Sequence, residues 1–406
     1  MQDGIREVVL AGAVRTPVGK YGGSFTSLAS YELGAIVLRE ICRRLGLDPA
    51  GVNDVILGSS YQSGHFPNTA RQALLRAGFP YEVPGVTVDR QCVSGLEAIA
   101  QGMRAIRTGD ADVVLAGGAE NMSNLPYYVL NARWGYRLGH GAFLDWFSDA
   151  SETVSGPPER CGKLTMGLTA ENVAARYGLT RQDLDAYALR SQEKAREAMA
   201  AGRFREEIVH VEVAQGKNTV TVDTDEHPRP DTTLEKLAKL PAIFKADGMV
   251  TAGNACGMND AAAVTALMSR EKAASLGMKP WARLVSYAVA GVDPAFMGIG
   301  PVPATDRALQ KAGLEMKDID LVELNEAFAA QAEAVIREWE QRGMRSRDIV
   351  NVNGGAIALG HPIGATGARL VTTLIYEMRR RGLRYGLASA CVGGGMGATL
   401  IIEREA

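Results

Sequence analysis

The chain lacks any uninterrupted apolar run near the roughly 20 residues needed to span a membrane. Its opening, MQDGIREVVL, also places charges where a signal peptide needs its apolar segment. A cytosolic protein without a membrane partner is expected. An excess of one charge is missing too: 44 Lys and Arg oppose 46 Asp and Glu, leaving a formal net charge of -2 and no basic field to draw nucleic acid. Cysteine is sparse, odd in number and scattered, at Cys42, Cys92, Cys161, Cys256 and Cys391, with no C-x-x-C pair. That pattern argues against a disulfide framework or a zinc site, and no bound metal is expected. Each thiol is then either packing filler or a reactive group. There are only five histidines, and His65, His140, His210 and His227 sit in polar or loop-like contexts that read as ordinary surface positions.

Glycine, by contrast, is abundant: 46 residues, over a tenth of the chain against a usual ~7%, gathered in a few clusters where backbone must approach something closely. A length of 406 residues predicts two or three domains. In the first 120 residues, short β-branched runs at Val8–Leu10, Asp54–Gly58, Val86–Asp89 and Val113–Ala116 alternate with helical patterns at Ser30–Leu45, Thr69–Ala77 and Ser94–Thr108. This order predicts an α/β fold with a mostly parallel sheet. The closing third repeats it. Strands are expected at Ala282–Val289, Asp320–Leu324 and Val350–Val352, helices at Ala304–Ala312, Phe328–Gln341 and Ala365–Arg380, and a hairpin from Tyr385–Ala390 with Ala398–Ile402. The halves superpose in order and spacing, as an internal duplication would. Three parts follow: 1–123 as a first half, to which 252–280 returns, 124–251 as an inserted loop domain over the sheet edges, and 281–406 as a second half.

Two turns into helices carry the most pointed chemistry. In Val86-Thr-Val-Asp-Arg-Gln-Cys92-Val-Ser-Gly, a strand leads through a sharp turn into a helix, placing Cys92 where free N–H groups and the helix dipole lower a thiol pKa. In the second half, Asn353-Gly-Gly-Ala-Ile-Ala-Leu-Gly-His361-Pro-Ile-Gly holds an imidazole between glycines just before a helix, fit to act as general base. A phosphate loop would need a G-K-[ST] ending that is not there. Cys391-Val-Gly-Gly-Gly-Met-Gly mimics a dinucleotide fingerprint but runs into a strand, so it offers a second thiol beside N–H donors suited to an oxyanion. Asn325 and Glu326 follow a strand, where Asn325 reads equally as helix cap or functional amide and Glu326 as a first-turn charge.

Together with Arg15-Thr-Pro-Val-Gly, Gly117-Gly-Ala-Glu-Asn-Met-Ser and Val250-Thr-Ala-Gly-Asn-Ala, these segments resemble the signatures of the thiolase family in order and spacing over nearly the whole chain. The resemblance implies two duplicated βαβαβαββ halves in a layered α-β-α-β-α arrangement with an inserted, CoA-binding loop domain, and a homodimer or homotetramer. It implies reversible Claisen condensation of two acyl-CoAs, or thiolytic cleavage of a 3-oxoacyl-CoA, with coenzyme A as substrate and no permanently bound cofactor. By that likeness Cys92 takes the acyl group, His361 accepts its proton and Cys391 removes an α-proton. One oxyanion hole comes from His361 with an Asn325-held water, the other from the N–H groups of Cys92 and Gly393. Arg229 is placed at the adenine, Ala252 and Cys256 on the pantetheine tunnel, and Met166, Met297, Ala327 and Phe328 beside the acyl end. Thr165 stands where a histidine is common and Cys256 where a serine is usual, which predicts a slightly roomier, less polar pocket. A decarboxylating synthase of the same broad fold is disfavoured by Cys391, and a non-catalytic relative by the intact nucleophile and base.

Overall fold

The computed structural model describes residues 6–62 and 65–405, so the first five residues of the opening read above for a leader lie outside it. The first half supplies β1 (Val8–Arg15), α1 (Ser30–Leu45), β2 (Asp54–Gly58), α2 (Thr69–Ala77), β3 (Gly85–Val88), α3 (Ser94–Thr108) and β4 (Val113–Asn121). The middle segment contributes α4 (Met166–Arg176) and α5 (Arg181–Ala200), after which β5 (Asn259–Ser269) returns to the first half. The second half runs β6 (Ala282–Gly291), α6 (Pro301–Ala312), β7 (Leu321–Leu324), α7 (Ala329–Gln341), α8 (Ile363–Arg381), β8 (Tyr385–Val392) and β9 (Met396–Arg404).

The strands follow the path β7-β8-β9-β6-β1-β5-β4-β2-β3, and the strand ladder between the halves has two residue pairs, Val9 with Arg283 and Leu10 with Ala282. The expectation of a mostly parallel sheet fails. Only β2–β3, β2–β4 and β7–β8 are parallel, and the other five pairings on the path are antiparallel. Two of the five involve β5, whose sequence NDAAAVTALMS carries few β-branched residues and so gives little strand signal, yet is buried at every position between β1 and β4. The strand expected at Val350–Val352 is also absent. Val350 makes a single bridge to Val322, then positive φ at Asn351 (48°) and Gly354 (81°) turns the chain out of the extended region.

Helices α3 and α8 pack against one another in the middle layer, and their apolar residues share one core with inward-facing residues of both half-sheets. Helices α1 and α2 cover the outer face of the first half, and α7 with α6 that of the second. This is the layered α-β-α-β-α order. The glycines after Cys92 and His361 explain the close approach of α3 and α8: a Cβ on Gly95 would lie 2.6 Å from the Ala368 nitrogen, and one on Gly367 would collide with the Leu96 nitrogen. The close neighbour at Gly95 is thus the other helix.

The middle segment shares cores with both halves. Leu184, Tyr187 and Leu237 belong to the outer core of the second half, while Val211, Val213 and Val222 of a hairpin join that of the first. Arg15, fully buried at the end of β1, fastens this hairpin region: Nε donates to Glu207 Oε1 at 2.7 Å, and Nη1 and Nη2 donate to the two Asp225 oxygens at 2.7 and 3.0 Å. Removing the guanidinium leaves two carboxylates buried without their cation. Arg15→Ala should therefore lower unfolding free energy by ~3–5 kcal/mol, read as a lower denaturant midpoint with an unchanged slope.

Candidate active site

The ends of β2, β4, β7 and β8 and the starts of α3 and α8 converge on a cavity of about 430 Å³. Cys92, His361, Cys391 and Gly393 line it together, with Met166, Arg229, Ala252, Cys256, Met297, Ala327 and Phe328 on the same wall. Asn325 does not line the cavity; it stands behind His361, its Nδ2 3.4 Å from Nε2. Every site residue expected from the sequence is thus gathered around one space.

Cys92 lies in a short 3-10 turn, Gln91–Val93, one step ahead of α3, with Gln91 at φ 48° providing the sharp bend. Its thiol was expected to be acidified by the helix start. Burial instead pushes it up to about 12, against the opposing effect of the backbone N–H groups of Gly393 and of Cys92 itself. Desolvation outweighs the dipole because the sulfur is enclosed, so Cys92 rests as a thiol and could attack only with a base to take its proton. Cys391, at the end of β8 and 0% exposed, is likewise raised well above its ordinary value by burial, with Cys92 and Cys256 adding to the effect.

His361 places an imidazole on the same wall. Burial first, and then the nearby charge of Arg369, lowers its pKa to about 3, so the imidazole is neutral at working pH. Its tautomer follows from the hydrogen bonds. The Thr366 hydroxyl donates to the Pro362 carbonyl at 3.0 Å, so it accepts from His361 Nδ1–H at 2.6 Å, and the unprotonated Nε2 accepts a long hydrogen bond from Asn325 Nδ2 at 3.4 Å. The backbone of His361 is held in turn: its N–H donates to Asn259 Oδ1 at 3.0 Å, and Gly360, at φ 96°, passes where a Cβ would collide with that same amide. Asn325 Oδ1 is buried without a partner, the kind of orphaned acceptor that binds a water.

Several residues at the site escaped the sequence reading. Glu120, at the end of β4, accepts from Gly364 N (2.8 Å), Ser60 N (2.9 Å), Tyr61 N (3.3 Å) and Ser59 Oγ (3.2 Å), joining the start of α8 to the loop after β2. Burial pushes its carboxyl up to about 7. His227, expected to be an ordinary surface or loop residue, lines both the main cavity and an adjoining hollow of about 190 Å³ that also shares Arg229 and Ala252. It fits there because Gly257 has no Cβ to strike its ring, and burial together with Arg229 lowers its pKa to about 4. Thr165 has a local job as well, capping α4 by accepting from Leu168 N at 3.4 Å, and Phe244 packs so closely on Gly167 that a Cβ there would collide with the ring. The aromatic ring takes up space on this wall of the cavity.

Family models described as "Thiolase, N-terminal domain" and "Thiolase, C-terminal domain" match residues 8–271 and 278–404. An acetyl-CoA acetyltransferase of Syntrophomonas wolfei is 50% identical over 403 residues, covering 98% of this chain and 99% of that protein. One from Pseudomonas aeruginosa is 50% identical over 402 residues, covering 99% and 100%. Among solved structures, the Bacillus anthracis acetyl-CoA acetyltransferase superposes with a TM-score of 0.95 at 46% identity, covering 100% of both chains. Human mitochondrial 3-ketoacyl-CoA thiolase gives 0.93 at 42% identity and 99% of both.

Proposed function

The chain belongs to the thiolase family and is an acyltransferase acting on acyl-CoA thioesters, and from that premise we propose that Cys92 carries the acyl group between half-reactions. The observation that carries this reading is the tautomer of His361, which leaves Nε2 unprotonated, with the Asn325 amide at 3.4 Å, in a residue that lines one cavity with the protonated thiols of Cys92, Cys256 and Cys391. In acylation the Cys92 proton passes to Nε2 as sulfur attacks the thioester carbonyl, and the N–H groups of Cys92 and Gly393 receive the oxyanion. The departing CoA sulfur takes the Cys391 proton. That leaves a thiolate at Cys391 and an imidazolium whose Nε2–H, with a water on Asn325, faces the oxygen of the next acyl-CoA. Cys391 then removes an α-proton, the enolate carbon attacks acyl-Cys92, and the released Cys92 sulfur recovers its proton from His361. Charges of opposite sign form together, which a buried site requires.

Coenzyme A enters along the 124–251 segment, with Arg229 and His227 at the junction of the two hollows and Ala252, Cys256 and Phe328 along the pantetheine. The acyl end lies toward Met166, Met297 and Ala327. No permanently bound cofactor is needed. Tyr61, Met122, Phe147 and Val154 extend the cavity wall with apolar surface and favour chains longer than acetoacetyl by at most ~0.8 kcal/mol per methylene. Thiolysis of six- and eight-carbon 3-oxoacyl-CoAs should then proceed at a kcat/KM comparable to or above that of acetoacetyl-CoA. Activity confined to acetoacetyl-CoA would refute the chain-length assignment. Exposed Trp134, Leu138 and Phe143 support assembly into a homodimer or homotetramer. Brief exposure to acetyl-CoA should add one acetyl group per chain, mapped by peptide mass to Cys92; a label on Cys256 or Cys391 would overturn the role given to Cys92.

A further inference from the structure

Glu326 was open to reading as a first-turn charge of α7. The helix begins only at Ala329, and the Glu326 side chain is 1% exposed. Its carboxylate accepts four hydrogen bonds: Oε1 from Asn351 Nδ2 at 2.8 Å and Tyr187 Oη at 3.1 Å, Oε2 from Ser191 Oγ at 2.7 Å and Ile357 N at 3.2 Å. These donors come from two places. Tyr187 and Ser191 are on α5, whereas Asn351 and Ile357 flank the glycine turn that leads to His361.

The turn rests on this carboxylate so closely that a Cβ on Gly355 would collide with it, and one on Gly354 would come within 2.7 Å of the Ser191 carbonyl. Ser191 Oγ also accepts from Gly355 N at 3.1 Å. Asn351 in turn exchanges bonds with Leu324, accepting from its N–H at 2.8 Å and donating to its carbonyl at 2.9 Å, immediately before Asn325. One buried side chain thus joins the strand end bearing Asn325 to the turn bearing His361. It does so from behind, because Glu326 faces a separate hollow of about 130 Å³ shared with Tyr187, Lys194 and Asn351, and is absent from the substrate cavity wall.

We infer that Glu326 is a positioning residue that fixes His361 Nε2 relative to Asn325 and Cys92 by clamping the 351–357 turn against the end of β7. The inference rests on the role of His361 as base for Cys92. A carboxylate suits this task because both of its oxygens are acceptors with room for two donors each. Glutamine has one such oxygen, and its amide would face donors at Ser191 and Ile357 or at Tyr187 and Asn351, leaving at least the backbone N–H or the Asn351 amide without an acceptor. The turn then shifts, and displacement of a catalytic group by about 1 Å costs on the order of 10²-fold.

The test is pre-steady-state acetylation of Cys92 in the full-length protein, followed by intact mass at graded acetyl-CoA concentrations. For Glu326→Gln the limiting rate should fall roughly 10–100-fold while the half-saturating acetyl-CoA concentration stays within about twofold, since the substrate wall is untouched. Glu326→Asp, which keeps both acceptor oxygens on a shorter arm, should recover part of the rate. A limiting rate equal to that of the unmodified protein, or a loss confined to half-saturation, would overturn the inference. Should Glu326→Gln fail to fold, Ser191→Ala removes one donor to Glu326 Oε2 and the acceptor of Gly355 N, and should show the same split, with an unchanged limiting rate again overturning it. Failure of the underlying reading looks different, because the unmodified protein would then not acetylate Cys92.

Discussion

A Cys391→Ala chain should still acquire an acetyl group on Cys92, at a rate within about tenfold of the unmodified protein, while condensation falls on the order of 10²–10⁴-fold. The two steps ask different things of this thiol. In acylation the departing CoA is itself a thiol with an ordinary pKa near ~8.5, so it needs little acid assistance, and imidazolium His361 can return the proton it took. In condensation a carbon acid must be deprotonated, and no other group on the cavity wall is suited to this. On the proposed mechanism His361 is occupied as hydrogen-bond donor to the enolate oxygen, and Cys256, pushed up to about 12 by burial, is held among the described residues only through its backbone N–H, which donates to the Ala327 carbonyl at 3.0 Å. Alanine at position 391 removes one sulfur from the end of β8, where flanking residues are already tightly packed, so the fold should tolerate it. Quench-flow labelling with acetyl-CoA, compared with acetoacetyl-CoA formation by the same preparation, separates the steps. Equal loss in both would mean that the departing CoA depends on the Cys391 proton and that His361 does not replace it.

The parts of the site that were legible in the sequence are those fixed by local backbone. Cys92 and His361 each follow an apolar run and a sharp turn and precede a long helix, and Gly360 and Gly95 mark close approaches that no side chain could share. The duplicated order of strands and helices was legible for the same reason, since hydrophobic period reports local structure. What failed depended on burial in three dimensions. The acidity expected of Cys92 followed from a helix start, but the enclosing cavity reverses its sign. β5 carries an alanine-rich sequence that becomes a strand only because β1 and β4 bury both its edges. His227 has no local signature, and the Gly117-Gly-Ala-Glu-Asn-Met-Ser segment gives no sign of what Glu120 holds; the gap at Gly257 admits one to the cavity wall, and four donors from two segments far apart in the chain bind the other.

Thr366 is the most consequential residue of that hidden kind, because it decides which nitrogen of His361 can act as base. Its hydroxyl proton is committed to the Pro362 carbonyl, and its lone pair holds Nδ1–H at 2.6 Å. Valine keeps the shape of the side chain and removes both functions. Nδ1–H would then be buried without an acceptor, a cost of ~1–3 kcal/mol that shifting the proton to Nε2 relieves. That shift destroys the base, as Nε2 would arrive at Cys92 already protonated. Thr366→Val should therefore slow Cys92 acetylation on the order of 10²–10⁴-fold, the size of effect that a wrong histidine tautomer produces elsewhere, with the fold intact by circular dichroism and thermal midpoint. Thr366→Ser, which retains the hydroxyl, should keep most of the rate. The pH dependence supplies an independent check. Because burial holds His361 near 3, lowering pH from 7 to 5 should not protonate it in the unmodified protein, and the acetylation rate should show no step near the ordinary histidine value of ~6.5. A clear step there, or a Thr366→Val chain that acetylates as fast as Thr366→Ser, would mean that the proton on His361 is not placed by this hydrogen bond.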